Sequence, residues 1–154
     1  MALKYLTVQD ILWINLQSTH KVLHYHFAKL EEGTFYQYAY GASADLVSQA
    51  PRFLTGFARL RPFEFGNVAT AFIAFAAFVE LNGHTLELND REAQAWALDA
   101  IAGKVSVGDK IGAADHEAHH EGPTDVRGKV REILERYPET IQALAAQDSV
   151  KQTA

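Results

Sequence analysis

The sequence predicts an all-α protein, and three observations carry that prediction. Ser, Thr, Asp and Asn residues stand just before apolar-periodic runs and glycines stand just after them, which is how helices begin and end. Residues 68–79 are apolar almost throughout, interrupted by Thr70. Such a stretch is too short to cross a bilayer and points apolar side chains in every direction, so it reads as a helix buried among other helices. Strand-like patterning is confined to residues 34–40 and 84–88. The expected architecture is a compact helical bundle around a central apolar helix at about 67–82, with an extra C-terminal helical arm.

Each element has its own signal. Thr7 and Asp10 in "TVQD" form a capping box, and Val8, Ile11, Leu12 and Leu16 then share one helix face. A second helix is expected at about 20–31, stopping near Gly33, and a third from near Gly41 to Leu60, kinked or split by Pro51 and Gly56. A loop over 61–66 leads into the central helix, which Gly83 stops. "NDRE" at 89–92 opens a helix ending near Gly103, and "SVGD" at 106–109 one reaching about His119. "TLEL" at 85–88 is expected as an extended connector, and "TFYQYAY" at 34–40 as an alternating one with one face buried.

"EGPTD" at 121–125 breaks the chain before the terminal helices, where Pro138 either starts the last helix or kinks a continuous one. Val126, Val130, Ile133, Leu134, Tyr137, Ile141 and Leu144 make an apolar stripe at helical spacing, with Glu132 and Arg136 as an i, i+4 pair on the outside. The stripe must be covered, either by its own core or by a second copy or partner. The reading divides the chain into a helical domain at 1–120 and an arm at 121–154.

Composition narrows the function classes. The 154 residues suffice for one domain with a real core, and 48 % hydrophobic content fits a soluble globular protein. A net charge of −5 without basic clustering argues against nucleic acid as a partner. No cysteine is present, which removes disulfides and thiolate zinc sites and suits a reducing cytoplasm. "MALKYLTVQD" lacks the apolar core of a secretory signal, so the expected location is cytoplasmic, without a membrane partner.

The stretch "RPFEFGNVATAFIAFAAFVELNGHTLEL" at 61–88 places Pro, Phe, Gly and Asn where the central helix begins. It resembles the signature of the Fic/Doc (Fido) superfamily, and most of all the death-on-curing toxins: His-Pro-Phe-x-Asp/Glu-Gly-Asn-Lys-Arg-Thr-Ala, a long apolar helix, then "LNG". "LTVQDILWIN", "ASADLVSQAPRFLTGFARL" and "IAGKVSVGDKIGAAD" resemble flanking helices of that family, so the likeness covers roughly residues 6–118. It implies an all-helical fold and transfer of a nucleotidyl or phosphoryl group from a nucleotide such as ATP to a protein hydroxyl. The signature's histidine would be the general base, its acid would hold magnesium, and its asparagine, loop amides and basic pair would orient phosphates.

Residue by residue, Pro62, Phe63, Gly66, Asn67, Thr70 and Ala71 match that signature. Arg61 stands in place of the histidine, Phe65 in place of the acid, and Val68 and Ala69 in place of the basic pair. A guanidinium stays charged in proteins and has no acceptor, so Arg61 cannot remove a proton from a hydroxyl. A phenyl ring offers magnesium no oxygen. The resemblance with these replacements implies a catalytically inactive relative of a toxin–antitoxin toxin, acting through an antitoxin-like or target protein or by self-association through the arm. Arg61, Glu64, Gly66, Asn67 and Thr70 are the candidates for residual ATP or phosphate binding, since a helix N-terminus favours anions; Asn67 also suits a helix cap.

Two alternatives stand beside that reading. One is a transferase with an altered mechanism that uses Arg61, Asn67 and Glu64. The other is a divalent-metal-binding helical protein: "DHEAHHEG" at 115–122 puts His116, His119 and His120 at helical spacing, and "HKVLHYH" adds His20 and His24.

Overall fold

The computed structural model describes residues 3–38, 45–113 and 125–153. Among them are seven α-helices and a short 3-10 turn, with no strand longer than a single bridge. Thr7 starts α1 (Val8–Thr19) with the expected capping box. The central helix, α4 (Asn67–Leu81), is buried nearly all round, and Phe72, Ile73, Phe75 and Phe78 are fully covered. It packs against α1, against α3 (Leu46–Leu60), and against the terminal helices α6 (Val126–Arg136) and α7 (Pro138–Thr153). No described helix is long and apolar enough to cross a membrane.

Several sequence expectations are corrected. No helix covers 20–26: His20 closes α1 in the left-handed conformation (φ 62°), and α2 runs Phe27–Phe35 with His26 as its cap. Residues 24–26 instead pair with the loop at 62–64, the His26 N–H donating to Pro62 O at 2.8 Å and the Glu64 N–H to His24 O at 3.2 Å. α2 does stop near Gly33, at Phe35, but the glycine lies within its last turn, where an added Cβ would come within 2.7 Å of the Phe57 ring. The "TFYQYAY" stretch does not alternate: Thr34 and Phe35 end α2, Gln37 is buried, and residues 39–40 lie outside the described residues.

Asp45 caps α3, which continues without a break through Pro51 and Gly56; the Tyr36 ring lies where a Cβ on Gly56 would go. Asn89 opens α5 (Asp90–Ile101) with a second capping box. Where a helix was expected to begin at 106, the described residues show only a 3-10 turn, Val107–Lys110, and leave helix at 111–113; the rest of the expected span, from 114 to about 119, lies outside the described residues. The chain then straightens, because Leu86 and Ile111 bridge through the Glu87 N–H to Lys110 O (2.7 Å) and the Gly112 N–H to Thr85 O (2.8 Å). That bridge is the extended connector expected at 85–88.

The apolar stripe of α6 and α7 lies on the body of the protein. Tyr137 packs edge-on against Phe72, with ring centres 5.3 Å apart, and its hydroxyl donates to Leu88 O at 2.7 Å. Pro138 starts α7, whose first N–H groups are capped from another helix: Asp90 accepts from Glu139 N–H at 3.1 Å and Thr140 N–H at 2.9 Å. Arg136 and Lys129 of α6 meet the mostly buried carboxylate of Glu80 on α4.

Candidate functional site

The candidate site is the loop between α3 and α4, and its shape follows from two left-handed residues. Arg61 ends α3 at φ 50°, and Gly66 precedes α4 at φ 77°. The left-handed region is open to glycine and costs other residues about 1–2 kcal/mol. Gly66 has a second reason to be glycine, since a Cβ there would run into the Thr19 methyl group and approach the Asn15 carboxamide at 3.2 Å.

Asn67 is not the cap expected from sequence. Gly66 holds the cap position without a side-chain bond, and Asn67 is the first helical residue. Its fully buried carboxamide turns back across the loop, accepting from Phe63 N–H and donating to Phe63 O, both at 2.9 Å. Both polar ends of one peptide residue are thus satisfied in a place water does not reach. On the α1 side, the Asn15 Nδ2 donates to Thr70 Oγ1 at 3.1 Å and to Phe65 O at 3.4 Å, and Thr70 is itself fully buried.

Of the residues singled out from sequence, Gly66, Asn67, Ala69 and Thr70 therefore face inward, Arg61, Phe65 and Val68 are half-buried, and Glu64 is exposed. The Lys21 ammonium lies over the Phe65 ring, 5.8 Å from its centre. Exposed apolar side chains stand on the paired segment beside the loop: Tyr25, against the Phe63 ring, with Val22 and Phe27 on either side. At this position the chain offers a guanidinium, an aromatic ring and backbone, but no proton acceptor on Arg61 and no oxygen ligand on Phe65.

Asn15 and Thr19 were not legible as site residues. Asn15 lies 50 residues before Phe65 in sequence, and on α1 both residues read as ordinary polar helix positions. A concavity of about 460 Å³ lies where the end of α1 (Gln17, Ser18, His20) meets Leu134, Ile141 and Ala145 of the arm.

His116, His119 and His120 lie outside the described residues. Among the described residues, no group of three or more His, Cys, Asp or Glu is arranged to hold a metal ion. His20 and His24 do not share a helix face, because the chain leaves the helix at His20. His26 accepts the Lys29 N–H at 3.2 Å as a helix cap, and His84 bonds Gly112 O at 2.9 Å. No protein-family model, curated protein or solved structure matches the chain.

Proposed function

We propose that this chain is a Fic/Doc-like helical domain without transferase chemistry, serving as a protein-interaction or regulatory module of the toxin–antitoxin kind. The family rests on the motif "RPFEFGNVATA" and its flanks. The observation that supports loss of chemistry is the Asn67 carboxamide, whose oxygen and nitrogen are both engaged with the Phe63 backbone inside the loop. With that side chain turned inward, phosphate recognition at the helix mouth is left to backbone amides and Arg61. Such a mouth can attract an anion, but it has no base to activate a hydroxyl and no carboxylate at position 65 to bring magnesium. The exposed Tyr25, whose ring packs against Phe63 of the loop, supplies the apolar contact that a protein partner, antitoxin-like or target, would use.

Calorimetric titration with ATP, with and without magnesium, tests this reading. Any affinity for ATP should not rise when magnesium is added, because magnesium lowers the charge on the phosphates and the site gives the ion no ligand. Magnesium-dependent binding that disappears in Glu64→Gln would show that Glu64 replaces the missing ligand, and would favour the altered-transferase alternative.

A further inference from the structure

The Asn82–Gly83 bond ends the central helix. Asparagine followed by glycine is the dipeptide most prone to cyclise, because no side chain hinders the glycine nitrogen from reaching the carboxamide carbon. Here the carboxamide is also a structural part. Its Oδ1 accepts the Lys4 N–H at 2.6 Å, and its Nδ2 donates to Lys4 O at 2.9 Å and to Phe78 O at 2.8 Å. Asn82 therefore holds both backbone groups of residue 4 and ties the N-terminal stretch 3–7 to the end of α4. The same stretch is held further along by Gln37, which accepts Leu6 N–H at 2.7 Å and donates to Leu6 O at 2.8 Å. Between these two ties, Tyr5 stacks on Tyr38, with ring centres 4.1 Å apart.

We propose that Asn82 is a site of spontaneous deamidation, and that its loss of the amide unfastens the N-terminal stretch 3–7. After its proton passes to hydroxide or water, the Gly83 nitrogen attacks Asn82 Cγ. The new C–N bond closes a five-membered ring, the Cγ–Nδ2 bond breaks, and the nitrogen leaves as ammonia. Water then opens the ring to aspartate or isoaspartate. The sum is one water consumed and one ammonia released, with no oxidant or reductant.

The fold restrains the first step. The Gly83 N–H is donated to Glu80 O at 3.1 Å, and three hydrogen bonds fix the carboxamide. Attack requires the last turn of α4 and the N-terminal stretch to open together, so the reaction samples local unfolding. The product cannot close again in the same way. A carboxylate only accepts, so it meets Lys4 O and Phe78 O with repulsion where Nδ2 had donated to both.

The test is peptide mapping by mass spectrometry on the full chain, held warm at mildly alkaline pH, folded and in denaturant. Deamidation at 82 should be at least about tenfold slower in the folded protein, as expected for a step gated by local opening. Asn82→Asp should speed amide hydrogen exchange in residues 3–7 and leave the middle of α4 unchanged. Tyr5→Ala, which loosens the stretch without touching the Asn–Gly bond, should speed deamidation at 82, and serves if Asn82→Asp does not fold. Equal rates in the folded and denatured chain, unchanged exchange in Asn82→Asp, or an unchanged rate in Tyr5→Ala would overturn the proposal.

Discussion

Arg136 on α6 lies against Glu80 on α4, with both terminal guanidinium nitrogens on the one carboxylate. Lys129 approaches the same carboxylate at 3.6 Å, and Glu132 bonds both cations from the next turn. Glu80 is mostly buried, its side chain 10 % exposed, whereas that of Arg136 is 35 % exposed. The pair has a protected acid and a half-open cation, and it fastens the arm to the helix that carries the loop.

The asymmetry sets the expected costs. Glu80→Leu leaves two cations facing a covered site and should lose about 3–5 kcal/mol, the usual range for breaking a buried pair. Arg136→Leu should lose less, about 2 kcal/mol, because water reaches its end of the pair. The double variant should lose less than the sum, and urea unfolding of all four proteins measures the coupling.

The clasp at Asn67 gives a second prediction. Asn67→Ala leaves the Phe63 N–H and C=O buried without that partner, at about 1–3 kcal/mol for each unsatisfied group. Asn67→Asp keeps an acceptor for the N–H but sets a carboxylate against the Phe63 carbonyl, so it should not restore stability. Thermal unfolding of both variants, with hydrogen exchange at Phe63, checks this.

Gly66→Ala should be destabilising by about 2 kcal/mol or more. The left-handed conformation costs about 1–2 kcal/mol for alanine, and the Thr19 methyl group occupies the space of the new Cβ. Thr19→Ser in the same chain removes that methyl group and should recover part of the loss, which denaturant titration would show.

Stability at the two pH extremes should follow the arm. Desolvation pushes the Asp90 carboxyl up, but hydrogen bonds from Thr140 and Glu139 together outweigh it, and its pKa lies below the ordinary 3.8. A lowered pKa contributes stability above 3.8 that is lost as pH falls through the folded value. Burial raises the Tyr137 phenol above 10.0 despite Arg136 beside it. A raised pKa contributes stability below 10.0 that is lost as pH climbs through the folded value. Unfolding measured against pH should lose an acid-side term in Asp90→Asn and an alkaline-side term in Tyr137→Phe.

Local chemistry made much of the fold readable. The capping residues Thr7 and Asn89, the all-round apolar run of α4 and the stop at Gly83 are signals within a few residues of what they specify. The failures share a cause, since tertiary partners decided them. Residues 20–26 leave helix where 24–26 pair with the loop, and the turn at 107–110 gives way to extended chain at Ile111, where Leu86 bridges it. Gly56 looked like a breaker but marks close approach of Tyr36. In the loop, the replacements at Arg61 and Phe65 are plain in the sequence, but the inward turn of Asn67 and the backing by Asn15 and Thr19 depend on contacts between distant segments.

The most direct test of the central claim is a transfer assay with ATP labelled at either the α or the γ phosphate. The purified chain is incubated with magnesium and a lysate as the source of protein hydroxyls. With a guanidinium at position 61 and a phenyl ring at 65, no label should pass to protein above the level without the chain. Stable, chain-dependent label that is abolished in Arg61→Ala would contradict the account.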